Sequence, residues 1–295
     1  MSEEKVTINW FPGHMNKALN ELASMIKKVD AVIYVLDARA PRSSFNPEIY
    51  KIVQNKPIIY VLNKSDMADS IETKKWVEFY KTKGKLALST NSTNSLIRKE
   101  IIKAIKQSLS EKLTKNQEKG INVTLRLCVV GVPNTGKSTL INTIASNKLS
   151  KTGNIAGVTR SLSWRKVDEN LELLDNPGTL WPKFSSNTIA ENLAFIGSIS
   201  DNVVDISDLA FALINKLKMI APKELKDRYN LNTLDGETLE IYEEICKNRG
   251  FLFKKGDYDY ERCGKAIIDD FRKARIGKIT LERVTDENNW FIWIW

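Results

Sequence analysis

A stretch near mid-chain contains residues that could bind phosphate. Residues 131–138 read Gly-Val-Pro-Asn-Thr-Gly-Lys-Ser, follow an apolar run at 125–130 and precede a helix-compatible segment at 139–144. A strand, a glycine loop and a helix start in this order form a P-loop, whose backbone N–H groups surround a phosphate. Lys137 is expected to reach the outer phosphates, and the Ser138 hydroxyl is available to magnesium. The other nucleotide-binding residues that we predict here are Asn134, Thr135, Gly136 and Thr139.

A second motif could recognise the base. Residues 63–66 read Asn-Lys-Ser-Asp and directly follow the apolar run 57–62. The Asp66 carboxylate can accept from the two N–H groups on one edge of guanine, which adenine does not offer. Asn63 would tie the base to the surrounding loops, and the Lys64 stem would cover the ring. Four residues alone also make an ordinary turn, so the strand before them and the P-loop elsewhere strengthen the prediction.

Two further segments could contact magnesium and the outer phosphate. Residues 175–178 read Asp-Asn-Pro-Gly at the end of an apolar run. At this position P-loop NTPases hold magnesium through the acidic residue, here Asp175. A backbone N–H, here that of Gly178, contacts the outer phosphate. The loop 153–160 offers the Thr159 hydroxyl to magnesium, with a plain surface turn as the alternative.

Elements that would position these motifs can be placed from apolar patterning. Near-continuous apolar runs at 30–37 and 57–62 predict buried parallel strands, and 85–88 predicts a third. Helices are expected near 47–54, 72–83 and 96–109, followed by a charged linker at 111–122 and, after the P-loop helix, a hairpin at 161–174. Three helices are expected beyond residue 200.

The order of the motifs is unusual. The base motif comes first, the P-loop second and the Asp-x-Pro-Gly segment last, whereas in Ras-like GTPases the base motif comes last. Cutting the Ras-like order after the Asp-x-Pro-Gly segment and joining the original termini through the 111–122 linker reproduces this order. Such a permutation is physically allowed because domain termini often lie close together. We therefore predict an α/β fold: a circularly permuted P-loop GTPase domain with a parallel-rich sheet at 1–187, followed by a smaller, mainly α-helical domain at 188–295.

Composition limits the class of protein. The chain has 295 residues, 42% of them hydrophobic, and a formal net charge of +9. Such a charge favours a polyanionic partner, nucleic acid first, although a solvated lysine face is the alternative. The three cysteines are far apart in sequence and suggest neither a metal site nor disulfides, which fits a reducing cytoplasm. No signal peptide or membrane-length run is evident, and the apolar residues 290–295 predict a strand or packed tail.

The combination of motifs resembles a known family. Its motifs lie at 10–15 (Trp-Phe-Pro-Gly-His-Met), 37–41 (Asp-Ala-Arg-Ala-Pro), 63–66, 131–138 and 175–182, and the likeness extends through 264–282. Together they resemble the bacterial ribosome biogenesis GTPase A family. The resemblance implies GTP hydrolysis in late assembly of the large ribosomal subunit, with rRNA contact and potassium-assisted turnover.

The resemblance also assigns roles to individual residues. It implies that Asn134 ligates potassium, that Ser138 and Thr159 bind magnesium, and that Asn91 and Ser92 lie in the loop supporting the base. The partners it implies are a large-subunit precursor and rRNA. We expect a cytoplasmic protein without stable membrane association, monomeric when off the ribosome.

His14, the only histidine, is a candidate catalytic residue. Ras-like enzymes place a water-orienting glutamine just after Asp-x-x-Gly, but Thr179 and Leu180 stand there in this chain. In the permuted order, the segment carrying His14 takes the place of the element that would follow Gly178. His14 could thus position the attacking water, whereas the simpler alternative is a capping or packing role.

The C-terminal region contains a cluster of basic residues. Its members are Lys265, Arg272, Lys273, Arg275 and Lys278. They form either a solvated face or an rRNA surface, and the net charge favours the latter.

Two functions compete with that of a ribosome-assembly GTPase. They are a nucleotide-gated RNA-binding switch with negligible turnover and a membrane-associated signalling GTPase.

Overall fold

The centre of the fold is a six-stranded sheet. The computed structural model describes residues 14–145 and 163–284. In chain order the strands are β1 (Ala31–Asp37), β2 (Ile58–Asn63), β3 (Leu86–Ser89), β4 (Leu125–Val130), β5 (Ser163–Asp168) and β6 (Leu171–Asp175). Their spatial order is β3-β2-β1-β4-β6-β5. Every neighbouring pair is parallel except β5 and β6, which form the predicted antiparallel hairpin.

Helices cover both faces of this sheet. They are α1 (His14–Met25), α2 (Pro47–Val53), α3 (Ser70–Thr82), α4 (Ile97–Ser108), α5 (Ser110–Glu118) and α6 (Lys137–Ala145). One face packs against α1, α2 and α3, with Trp76 fully buried. The other packs against α4 and α6 through residues such as Ile101 and Ile141. Burial on both faces explains why β1 and β2 are almost continuously apolar.

Strand order explains the position of the P-loop. The chain runs outward from β1 through β2 to β3 and returns to the centre at β4. It then crosses to the opposite edge at β5 and comes back at β6, between β4 and β5. Adjacent strands whose connections leave in opposite directions create a crevice at their carboxyl ends, where ligands bind in α/β sheets. The P-loop follows β4 and Asp37 ends β1, so both reach this crevice. The predicted fold class is confirmed.

The remainder of the chain is mainly helical. It contains α7 (Asn187–Phe195), α8 (Ile206–Ile220), α9 (Pro222–Tyr229), α10 (Thr238–Asn248) and α11 (Tyr260–Arg272). These helices share a core that also includes Met15, Val132 and Leu180 from the sheet-containing part. The two parts therefore pack against each other through apolar side chains. The division at 187/188 stays a prediction, and it coincides with the start of α7.

The structure differs from the sequence prediction in several elements. The 111–122 linker is wrong for most of its length, because α5 occupies Ser110–Glu118. This helix lacks buried residues, so apolar periodicity could not reveal it; Lys112 holds it to Asp30 through an ion pair. Helices α7 and α9 were not predicted. The loop 153–160 and the apolar tail 290–295 lie outside the described residues. Within those residues, no helix is both long and apolar enough to cross a membrane.

Candidate functional site

The P-loop has a backbone that only glycine permits at two positions. Gly131 has φ +149°, and a Cβ there would lie 2.3 Å from the Val35 carbonyl oxygen of β1. Gly136 has φ +90°, and a Cβ there would lie 2.3 Å from the Asn63 Nδ2 atom. Such separations exclude any side chain without movement of the neighbouring strand or loop. The glycines therefore allow the P-loop to approach β1 and the base motif.

Asn63 joins three loops at this edge of the sheet. Its amide nitrogen donates to the Thr135 carbonyl at 2.7 Å, which fixes the P-loop. Its amide oxygen accepts from the backbone N–H of Ser92 at 3.0 Å and from the Ser92 hydroxyl at 2.6 Å. The side chain is 1% exposed. Asn63, Thr135 and Ser92, which the sequence assigned to one nucleotide site, are thus brought together, although their contacts with a nucleotide stay predictions.

Lys64 belongs to a buried charge cluster. It has φ +59°, and its ammonium lies 3.0 Å from Asp37 Oδ2 and donates to the Asn134 carbonyl of the P-loop. Asp37 also accepts from the Arg39 guanidinium at 2.9 and 2.7 Å. Burial alone would raise the pKa of Asp37, but Arg39 and Lys64 outweigh burial and hold that pKa well below its usual range. Asp37 is therefore a carboxylate at neutral pH.

The phosphate side of the crevice contains Lys137, Ser138 and Asp175. Lys137 is 7% exposed and donates to the Val132 carbonyl at 2.8 Å. Burial lowers the pKa of Lys137 to about 8, and the Asp175 charge opposes this shift. The Ser138 hydroxyl lies 3.1 Å from Asp175 Oδ2. A hydroxyl and a carboxylate so close together are oxygen donors of the kind that magnesium prefers, so the residues fit that ion.

The Asp-x-Pro-Gly segment approaches the P-loop closely. A Cβ on Gly178 would lie 2.6 Å from Pro133 Cα and 2.7 Å from Lys137 Nζ. The segment predicted to contact the outer phosphate through the Gly178 N–H therefore lies beside the P-loop, which is predicted to bind the phosphates. The segment continues directly into Leu180, whose backbone N–H donates to the Met15 sulfur of α1 at 3.4 Å. The first turn of α1, which begins at His14, therefore packs beside this segment.

The C-terminal end of α7 meets the nucleotide loops directly. Four successive backbone carbonyls there accept hydrogen bonds from side chains distant in sequence. Arg272 donates to the first two, Arg39 to the third and the Asn134 amide nitrogen to the fourth, and these carbonyls belong to Ala194, Phe195, Ile196 and Gly197. The last carbonyls of a helix have no partner within the helix. Here Arg39, Asn134 of the P-loop and Arg272 of α11 donate hydrogen bonds to these carbonyls.

The remaining predicted residues are placed as follows. Asp66 lies in a short 3-10 helix at Ser65–Met67 and is partly exposed. Asn91 accepts from the backbone N–H and hydroxyl of Thr93, so its oxygen organises its own loop. Thr139 is exposed on α6. Thr159 lies outside the described residues, and for His14 only the helical backbone is described.

Sequence reasoning missed the role of Arg39. The residue was noted only as part of a motif, yet it is 1% exposed and contacts Asp37, the Ile196 carbonyl and the Arg272 carbonyl. Its guanidinium also lies 5.8 Å from the centroid of the Phe271 ring. An arginine two positions after an acid at the end of a buried strand is the signal that could have suggested a buried ion pair.

Comparison with known proteins identifies the family. A family described as 50S ribosome-binding GTPase matches residues 126–249. The chain is 42% identical over 278 residues to the ribosome biogenesis GTPase A of Bacillus cereus, which covers 94% of each protein. This chain belongs to the ribosome biogenesis GTPase A family.

Solved structures agree with this ribosome biogenesis GTPase A assignment. The chain is similar to GNP-bound YlqF from T. maritima, with a TM-score of 0.64 and 26% sequence identity, over 90% of this chain and 98% of that one. It is also similar to the GDP-bound YlqF structure, with a TM-score of 0.63, 26% identity and coverage of 90% and 100%. The chain is accordingly a GTPase of the ribosome biogenesis GTPase A family, and its fold is similar to that of the two YlqF structures.

Proposed function

We propose that this GTPase hydrolyses GTP to GDP and phosphate during late assembly of the large ribosomal subunit, while bound to rRNA of a precursor particle. The observation that carries the proposal is the meeting of the base motif, the P-loop and the Asp-x-Pro-Gly segment at one edge of the sheet. Asn63 bonds to Thr135, and a Cβ on Gly178 would reach Lys137. The ribosomal part rests on the names of the relatives.

In this proposal the described residues bind and orient GTP. Asp66 accepts from the guanine edge, Lys64 covers the ring, and Lys137 neutralises the outer phosphates. Ser138 and Asp175, together with Thr159, would hold magnesium, which would neutralise phosphate charge when bound. The Gly178 N–H would report the γ-phosphate to the segment that leads into α7.

Potassium is the second ion in the proposal. Its ligand would be the amide oxygen of Asn134, because the amide nitrogen already donates to the Gly197 carbonyl at 2.6 Å. An amide oxygen is a suitable donor for a hard cation, so the residue fits the role. The contact with Gly197 would then hold the ligand in orientation. Comparing turnover in potassium with turnover in sodium, for the wild type and for Asn134→Ala, tests this role.

His14 is the proposed water-positioning residue. Thr179 and Leu180, which stand where a glutamine is placed in Ras-like enzymes, are each 1% exposed and buried away from solvent. The Met15 contact with Leu180 supports the proposal because it brings the start of α1 beside this segment. Single-turnover hydrolysis with large-subunit precursors should be about 100-fold slower for His14→Ala. Asn16→Ala, exposed on the same helix, is the matched control; an unchanged His14→Ala rate with intact particle binding would contradict the role.

The alternative is a nucleotide-gated RNA-binding switch with negligible turnover. The burial of Thr179 and Leu180 favours it, since neither side chain can orient water. Sedimentation with large-subunit precursors in GTP, GDP and a non-hydrolysable analogue tests particle binding in both versions. Nucleotide-dependent cosedimentation is the expected result, and identical sedimentation in the three states would contradict both. We further propose a cytoplasmic monomer that joins the particle without stable membrane association.

A further inference from the structure

Positive charge is concentrated in the sheet-containing part of the chain. Residues 74–119 contain 12 basic and 4 acidic residues, a net charge of +8 out of +9 for the whole protein. Residues 188–295 contain 16 basic and 19 acidic residues, a net charge of −3. Three basic residues of this segment pair with acids outside it, Lys75 with Glu72, Arg98 with Asp168 and Lys112 with Asp30. The segment still keeps an excess of positive charge, so a polyanion would be attracted more strongly there than at the C-terminal helices.

Helix α4 carries part of this charge as a straight stripe. Lys99, Lys103 and Lys106 follow i, i+4, i+7 spacing, which places them on one helix face. All three are exposed, and none of them has a hydrogen bond or ion pair among the residues that the structure describes. The opposite face of α4 is anchored in the core through Ile101 and Ile105. We call these three lysines the α4 stripe.

The predicted C-terminal cluster differs from this stripe, because carboxylates already neutralise most of it. Asp269 pairs with both Lys273 and Arg275, and Asp201 pairs with Arg272 at 2.7 Å. Lys265 pairs with a glutamate on its own helix. A phosphate at that cluster would have to displace these carboxylates, whereas at the α4 stripe it would displace only water and counterions.

We infer that the α4 stripe binds the phosphate backbone of RNA. This inference deepens the proposed function, since it rests on rRNA being the partner. Lysine ammonium groups act as mobile point charges suited to phosphates. The stripe spans about 10 Å of helix, at 1.5 Å per residue.

The surface next to the stripe agrees with an RNA partner. Leu96, just before α4, is 76% exposed and stands at i−3 from Lys99, so it extends the stripe with an apolar end. An exposed apolar side chain beside unpaired lysines can contact a base while the lysines contact its phosphates. The same helix follows the loop of Ser92, whose carbonyl accepts from Thr143 of α6. RNA on the stripe would thus contact the helix that continues the guanine-site loop.

The test compares two triple variants that remove equal charge. One is Lys99→Gln, Lys103→Gln, Lys106→Gln. The control is Lys247→Gln, Lys254→Gln, Lys255→Gln, whose lysines are likewise exposed and without ion pairs among the described residues. The probes are purified large-subunit precursor particles and purified large-subunit rRNA, titrated at several salt concentrations. GTP affinity is measured for each variant to verify the nucleotide site.

The stripe variant should bind both probes about 10- to 100-fold more weakly at 0.1 M salt, with its salt slope reduced by about 2. The control and the GTP affinities should match the wild type. Equal binding by the stripe variant, or a larger loss in the control, would overturn the inference while leaving the proposed function intact. Weaker binding to precursor particles with unchanged binding to rRNA would assign the stripe to a protein partner and would also overturn the inference. Failure of the wild type to bind either probe would refute the proposed function itself.

Discussion

Replacing Arg39 by methionine should destabilise the protein by leaving a carboxylate buried without its main partner. Asp37 is fully buried, and the Arg39 guanidinium donates two of the hydrogen bonds that it accepts. Breaking a buried ion pair by removing one partner costs about 3–5 kcal/mol. Lys64 remains at 3.0 Å from Asp37, so we expect the lower end, about 3 kcal/mol. Methionine retains most of the side-chain volume beside Phe271 and limits any cavity.

The pH dependence of this deficit separates a charge effect from a packing effect. In the wild type, the pKa of Asp37 lies well below its usual range, so its carboxylate stabilises the fold above the unfolded pKa of about 4. This contribution is lost only as pH falls below that value. Without Arg39, only Lys64 opposes the effect of burial, so the pKa of Asp37 is higher than in the wild type. The variant can then bind a proton at higher pH, and its deficit should shrink between pH 7 and pH 4.5.

The assay is urea unfolding of the wild type, Arg39→Met and the control Arg283→Met at pH 7 and pH 4.5. Arg283 is exposed and has no ion pair among the described residues, so its replacement should change stability by less than about 0.5 kcal/mol. An Arg39→Met deficit as small as that of the control would refute the argument from buried charge. A deficit of about 3 kcal/mol that stays constant with pH would show that lost packing, rather than the uncompensated Asp37 charge, is responsible.

Three other substitutions test the site. Gly136→Ala should weaken GTP binding about 10- to 100-fold, because its Cβ would displace the buried Asn63 amide; Gly84→Ala, where nothing lies within 4 Å of the added Cβ, should leave binding unchanged. Asp66→Asn should reduce the preference for GTP over ATP about 1000-fold in competition binding, and a retained preference would remove Asp66 from base recognition. Ser198→Ala removes a 2.7 Å bond to a P-loop carbonyl and should cost about 1 kcal/mol in urea unfolding.

The sheet was predictable because its signals are local. The apolar runs of β1 and β2 reflect burial on both faces of a parallel sheet, and motif order alone indicated the permutation. Helix α5 was missed because none of its residues is buried, so no periodic pattern marks it. A single partly buried leucine, Leu113, packs against the core, and an ion pair joins Lys112 to Asp30, so the attachment of this helix leaves no periodic local signal.

The site was predictable as a set of motifs but not as a connected network. The spacing within 131–138 and 63–66 located both nucleotide loops. The bond from Asn63 to Thr135 and the contacts of Arg39 with the end of α7 join segments far apart in the chain. In the C-terminal region the sequence shows the basic residues around α11 but not that Asp269 and Asp201 pair with them, and the predicted rRNA surface there stays a prediction.

Multiple-turnover GTP hydrolysis, measured in potassium buffer with and without large-subunit precursor particles, tests whether this protein hydrolyses GTP in ribosome assembly. Wild-type protein should hydrolyse GTP slowly alone and faster when particles are added. Lys137→Ala should not hydrolyse GTP under either condition. Particles that bind the protein but leave its turnover unchanged would contradict a hydrolytic role in assembly. That result would favour the nucleotide-gated RNA-binding switch.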